Sequence, residues 1–464
     1  MMVPSTPLVT QESFNRLAQA LTDRLSRNEQ LELSLTAENT HYVRINNAKV
    51  RQSGIVEDAR FGMTLYVSNE AGIRKATVAV TLTGDADADL TRTRAAMKSL
   101  QETAPGLPVD PYATRPVAGT NSSQTKRGVL PNPSEAVGLL AKAAGFSRGS
   151  AKTSSDPADL VGIYASGTVI RASANSEGLR HWFETDNLDF DYTLMSSSER
   201  AVKGTYAVHE WDPEALAANL EASRQKLKLL ERPVKSIPRG IYRTFLEPAA
   251  VAELLSLFSW DCIGEKSIRL KQSPLRFLRE GNRTLSPHFS LKEDFTNDDI
   301  PRFNEAGELA PEVMHLICNG QLAGTLISSS TAKEYNLKHT GAASDERLRA
   351  PCMSGGGLAG GDILKRLDTG MLISNLHYLN WSDHSGGGMT GMTRYACFWV
   401  ENGKIAAPIE NLRFDDNLFA LFGSAVEAVT SDVVSVPLVQ TYFHRQLGAT
   451  RTPGMLLSRM RFTL

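Results

Sequence analysis

Cysteine is scarce in this chain, and the four present, Cys262, Cys318, Cys352 and Cys397, lie far apart with no CxxC pair. That spacing argues against a zinc ribbon, a thioredoxin-like motif or a disulfide framework, and the thiols read as reduced. Long apolar runs are missing too: no stretch approaches the roughly 18 residues needed to cross a bilayer. The start, MMVPSTPLVTQESF, has neither the basic opening nor the apolar core of a secretory signal, so a soluble, cytoplasmic protein is expected. Neither sign of charge is in excess. Fifty basic against 51 acidic side chains leave a formal charge of −1, too little for a global field that would draw the chain onto nucleic acid or an anionic membrane. The nine histidines contain no HxxxH pair, and the only His-Glu dipeptide, His209-Glu210, runs into Trp211, Asp212 and Pro213. The zinc-peptidase pattern of two histidines flanking a glutamate on one helix is therefore absent.

What is present is the composition of a folded protein, 41% hydrophobic and 22% charged, in a 464-residue chain too long for one ordinary core. Phe14, Leu17, Leu21 and Leu25 fall on one helical face. LELSLTAENTHYVRINNAKV alternates as a half-buried strand pair would, FGMTLYVSN and IRKATVAVTLTG repeat the pattern, and a helix near DLTRTRAAMKSLQET closes this α/β unit over 1–104. Residues 105–149 are rich in Pro, Gly, Ser and Thr and read as a connection interrupted by a short helix near SEAVGLLAKAAG. Residues 150–232 bring further strands and the helix PEALAANLEASRQKLKLLER, with Asp212 placed to cap it and Pro213 in its first turn. Two prolines in PVKSIPR mark the main boundary, and 233–464 reads as a strand-rich domain with one helix, EPAAVAELLSLFSW. The expected class is α+β, with an antiparallel sheet in the N-terminal region.

Three stretches invite a chemical reading. In SGGGLAGGDILKR, Gly355, Gly357 and Gly360 match G-x-G-x-x-G, but the preceding SDERLRAPCM does not resemble the buried strand a dinucleotide site requires, so a flexible loop is expected. His377 and His384 lie seven apart and could converge on a metal, although such pairs are more often structural. Asp383, His384 and Ser385 stand side by side, yet a catalytic triad needs three side chains meeting in space, and neighbours in an extended chain point to opposite faces. The simpler reading is a polar loop, a glycine turn, then a strand MTRYACFWVENGKI.

That strand and the turn at Glu401-Asn402-Gly403, in TRYACFWVENGKIAAPIENLRF, resemble the C-terminal region of the TldD/PmbA family, peptide-processing proteins also called modulators of DNA gyrase. Other segments agree in order: NSEGLRHWF at 175–183, LEPAAVAELL at 246–255, YNLKHTGAAS at 335–344, LDTGMLISNL at 367–376 and the closing TPGMLLSRMRFTL. In that family a TldD-type subunit carries HExxxH on the helix after the "P-x-A-A" segment and holds zinc, with a later cysteine, whereas its TldE (PmbA) partner has lost the motif. Here Ser256, Leu257 and Asp261 occupy the motif positions, and no histidine occurs between His209 and His288.

The resemblance thus implies a TldE-type subunit with no catalytic residue, metal or cofactor of its own. Zinc is expected in a TldD-like heterodimer partner, and unfolded or modified peptides are expected as substrates. Asn380, Asp383, His384, Ser385 and His377 become candidates for a substrate groove or partner contact. Two other readings stay open: a stand-alone homodimeric peptide-binding protein, and a self-sufficient hydrolase using Asp383, His384 and Ser385.

Overall fold

A computed structural model describes residues 7–47, 49–132, 134–138, 159–196, 198–297 and 299–463. The fold is α+β. Helix α1 (Gln11–Thr22) opens on a capping box in which Thr10 and Ser13 satisfy each other's backbone N–H groups, and it buries Phe14, Leu17, Ala18 and Leu21. Leu25 falls beyond its end. Then come β1 (Glu29–Asn46), β2 (Lys49–Asn69), β3 (Gly72–Thr81), α2 (Ala86–Thr103), β4 (Ser122–Lys126), β5 (Asp159–Asn175), β6 (Arg180–Met195), β7 (Ala201–Val208) and α3 (Pro213–Leu230).

These strands form one sheet in the order β3-β2-β1-β5-β6-β4, with β7 also on β6. Segments read as separate along the sequence, 1–104 and 150–232, are therefore joined through β1 and β5, which pair from Glu32↔Asn175 to Ile45↔Gly162. Two further readings need correction. LELSLTAENTHYVRINNAKV is almost wholly a single strand, because its alternation continues to Asn46 without turn chemistry. The 105–149 connection contributes β4, whose SSQTK has no apolar alternation to betray it and is held by parallel pairing with His181–Thr185. The short helix expected near SEAVGLLAKAAG falls mostly outside the described residues.

Close strand approach is paid for at Gly167, opposite Thr40: its φ is +143° and a Cβ there would lie 2.0 Å from the Asn39 carbonyl oxygen. Helix α3 lies on β7, capped as expected by Asp212, whose carboxylate accepts from the Glu214 and Ala215 N–H groups.

The C-terminal half is built from β8 (Gly240–Leu246), α4 (Pro248–Ser256), β9 (Leu291–Asp294), β10 (Val313–Cys318), β11 (Gln321–Leu322), β12 (Pro351–Met353), β13 (Gly370–Ile373), β14 (Asn375–Asp383) and β15 (Gly388–Arg394). It continues with β16 (Phe398–Glu401), β17 (Lys404–Pro408), β18 (Arg413–Asn417), β19 (Val426–Val429), β20 (Val434–Pro437), β21 (Ala449–Thr452) and β22 (Met455–Phe462). One sheet runs β11-β10-β9-β12-β21-β20, the other β14-β15-β18-β22-β8-β13-β16-β17 with β19 on β22. Helix α4 touches both, through β21 of the first and β14 of the second. It buries Ala250, Val251, Leu254 and Leu255 in a core with Phe258, Phe289 and Phe422.

The stretch MTRYACFWVENGKI is not one strand: Tyr395 at φ +64° breaks it, sending β15 and β16 to separate places in the sheet. The β16–β17 hairpin does turn at Asn402-Gly403, both with positive φ (51° and 71°), as the tight-turn signal requires.

Among the described ion pairs between the halves, that of Arg445 is the most buried. Arg445 is 2% exposed and donates from Nη2 to Asp189 on β6 at 2.8 Å. Its backbone N–H meets Glu38 on β1 and its carbonyl accepts from Arg171 on β5 at 2.7 Å. Replacing Arg445 with Met leaves Asp189 without its cation, and unpaired buried charge typically costs about 3–5 kcal/mol. Arg445→Met should therefore lower the urea midpoint of the N-terminal sheet, followed by circular dichroism, while a conservative exposed change such as Lys98→Gln leaves it in place.

Candidate functional site

Helix α4 follows β8 directly because Pro248 occupies its first turn, where a missing N–H costs nothing. Within PAAVAELLS one side chain is charged, Glu253. The helix rotates it to the edge of the core, beside a groove of about 330 Å³ between the two halves. Glu247, Glu253 and Ser256 line one wall, with Ser374 and Asn375 at the start of β14 beside them. Lys203 to Thr205 of β7 and Lys226 of α3 line the wall contributed by the N-terminal half, and the segment from Val436 to Gln440 borders the opening. Lys226 pairs with Glu247 at 2.7 Å, which joins α3 to the mouth of the groove.

Glu253 Oε2 accepts from the Leu376 N–H at 2.5 Å. Burial pushes its carboxyl up to about 7, and the hydrogen bonds from Leu376 and Asn375 only partly offset this. A groove between two domains thus carries a carboxyl poised near neutrality, next to a hydroxyl and a carboxamide.

Among the described residues, strand β20 is an edge of its sheet, paired with β21 alone. Leu438 N–H donates to Gly448, so by the antiparallel alternation residues 434, 436 and 438 face β21 while Ser435 and Pro437 present their backbone outward. The free edge therefore offers an N–H at Ser435 and none at Pro437.

The positions aligned with a zinc motif supply poor ligands. Ser256 ends α4 with its hydroxyl donating to the Glu253 carbonyl at 2.7 Å, and Leu257 is fully buried in the core. Asp261 sits at φ +52° and accepts from Ser267. One hydroxyl, one hydrocarbon and one carboxylate do not fit zinc, which takes histidine, thiolate and carboxylate donors in a tetrahedron. Cys262 is fully buried, and burial pushes its thiol well above the usual range. Among the described residues no group of three or more His, Cys, Asp or Glu is placed to hold a metal.

The Asp383–Ser385 segment forms the tip of the β14–β15 hairpin, with Asp383 opposite Gly388. Asp383 Oδ1 accepts from the Gly386 N–H and, at 3.4 Å, from Ser385. His384 packs on Trp381, ring centroids 5.1 Å apart, and its Nε2 has no hydrogen-bond partner among the described residues. Serine is thus bonded to aspartate, with no histidine between them, and the geometry does not make a triad. His377 lies against Tyr378 on β14. His377, Asn380, Asp383, His384 and Ser385 are all outside the lining of the α4 groove.

The 355–360 glycines follow a buried strand after all, β12, although it is three residues long and the helix after it, Ile363–Leu367, only five. A Cβ at Gly355 or Gly356 would lie 2.6 Å from the Ser431 or Val429 carbonyl oxygen, whereas one at Gly357 would meet nothing within 4 Å.

Against known proteins, residues 239–464 match the family described as PmbA/TldA metallopeptidase C-terminal domain. A relative from Buchnera aphidicola, "Metalloprotease PmbA homolog", is 23% identical over 251 residues, which make up 53% of this chain and 51% of the relative. The C-terminal half of the chain belongs to the TldD/PmbA family. The match to that relative spans only about half of the relative's length. Solved structures share the fold across nearly the whole chain. TldE from Thermococcus kodakarensis superposes with a TM-score of 0.76 at 15% identity, covering 97% of this chain and all of the other. A Thermotoga maritima protein described as a modulator of a DNA gyrase gives 0.73 at 16% identity, covering 98% and 100%.

Sequence reading overlooked Glu253, Lys226 and Glu247. The available signal was the single charge inside an otherwise apolar helix. The pH behaviour of Glu253 has a definite sign: its folded pKa lies above the ordinary 4.5, so its contribution to stability is complete below 4.5 and is lost as pH rises towards about 7. Glu253→Gln keeps the acceptor for Leu376 and cannot ionise. Its melting temperature should therefore gain on the wild type as pH climbs from 4.5 through 7, a trend calorimetry across pH 4.5–8 would read. Parallel curves would show that Glu253 titrates normally.

Proposed function

We propose that this chain is a non-catalytic, TldE-type subunit of a cytoplasmic heteromeric zinc metallopeptidase. It pairs with a TldD-like subunit that carries HExxxH and the zinc, and it helps enclose a chamber in which unfolded or modified peptides are cut. The observation that supports this reading is α4 with the turn after it, which pack between the sheets and carry Ser256, buried Leu257 and Asp261 at the positions matched in sequence to the family's ligands and general base. A helix with that donor set has no means of holding zinc or activating its water.

The α4 groove is the part of the chamber this subunit would contribute. Its size suits a few residues of extended peptide, and the free backbone of β20 at its border can accept a short added strand. The β14–β15 tip, away from the groove, is the surface assigned to the partner: Asn380, Asp383, His384 and Ser385 give it polar groups, and the half-buried Trp381 beside His384 an apolar one.

Metal analysis and a peptidase assay on an unfolded peptide, with the chain alone and co-purified with its HExxxH-bearing partner, test this directly. The pair should contain zinc and cleave, and the chain alone should do neither. One equivalent of zinc in the chain alone would overturn the proposal. Stable self-association with peptide binding and no turnover in either preparation would favour the homodimeric peptide-binding alternative.

A further inference from the structure

A second cavity, of about 430 Å³, opens where the edge strand β4 meets the loop between β9 and β10. Ser122 and Gln124 project to the same side of β4 and both line it, against Phe183, Phe295 and Phe303. Ser122 Oγ lies 2.7 Å from His181 Nδ1, and His181 Nε2 lies 3.0 Å from the Gly307 carbonyl oxygen. A carbonyl can only accept, so Nε2 carries the ring proton. Nδ1 is then a lone pair, and the Ser122 hydroxyl must donate to it.

The imidazole is 1% exposed and stacks on Phe303 with centroids 4.8 Å apart and planes 7° from parallel. Burial lowers its pKa, which favours the neutral ring with its free lone pair. Gly307 has φ +85°, and a Cβ there would lie 2.3 Å from Leu179, so glycine is what lets that carbonyl reach the ring. Ser122 itself is exposed. A serine bonded to a histidine whose far nitrogen is oriented by a third group is the constellation of an activated nucleophile.

We propose that Ser122 is an acyl-accepting nucleophile, with His181 as its general base and the Gly307 carbonyl as the positioning group, acting on esters that carry an aryl or short apolar acyl group. The Ser122 oxygen adds to the ester carbonyl carbon as its proton passes to His181 Nδ1. The C–O bond to the leaving alcohol then breaks, and the alcohol departs with that proton. Water attacks the acyl-serine, gives its proton to Nδ1, and the carboxylic acid leaves as the serine hydroxyl is restored. The Gln124 carboxamide, on the same face of β4, is the donor available to the oxyanion. This site is separate from the α4 groove, uses no zinc, and stands or falls independently of the peptidase-subunit reading.

The test uses the purified full-length chain in the presence of a chelator, with a biotinylated fluorophosphonate as probe and p-nitrophenyl acetate as ester. Mass spectrometry of the wild type should place the phosphonyl adduct on Ser122, a result that needs no variant to fold. Ser122→Ala should abolish labelling and ester turnover, and His181→Gln should slow both by about 100-fold or more. A structural hydrogen bond alone would alter melting but yield no adduct. Absence of an adduct on Ser122 in folded wild-type protein, or unchanged labelling in Ser122→Ala, would overturn the proposal.

Discussion

The two halves of this protein are held in register by a charge taken out of water. Arg445 comes from the end of the chain and is enclosed by β1, β5 and β6, where Asp189, Glu38 and Arg171 engage its side chain, its N–H and its carbonyl. Such an ion pair adds little net stability over a well-packed apolar residue, but removing one partner is costly, so it discriminates strongly between correct and displaced docking. Everything located at the seam depends on that discrimination. The α4 groove takes one wall from β7 and α3 and the other from the C-terminal half. The bond from Gly307 to His181 likewise crosses between the halves.

Much of the fold was legible because its signals are local. The capping residue Asp212, the alternation of β1 to β3 and the Asn402-Gly403 turn act within a few residues, and each does in the structure what its chemistry dictates. What was not legible depends on distance. The join of β1 to β5 brings together residues more than 100 apart, and β4, whose five residues are polar, exists only because β6 offers it an edge. The break at Tyr395 escaped notice because a positive φ at an aromatic residue has no sequence signature.

The site followed the same division. That α4 and the turn after it lack HExxxH is a matter of residue identity and could be read from the chain. That Glu253 is pushed towards neutrality is a matter of surroundings, fixed by burial beside β14, and could not. Adjacent Asp383, His384 and Ser385 were conspicuous in the sequence but form a hairpin tip in which the serine and aspartate bond to each other. Ser122 and His181, separated by 59 positions, carry the contact that the adjacent trio only suggested.

Pro437 deserves its place on β20 for a reason unrelated to the shape of the groove. An open strand edge at the border of a groove is also a template on which other chains can stack without limit. By withholding one outward N–H two residues from Ser435, the proline lets the edge hold a short segment while denying a long one a continuous ladder. The same edge can thus stay exposed without seeding fibrous assembly.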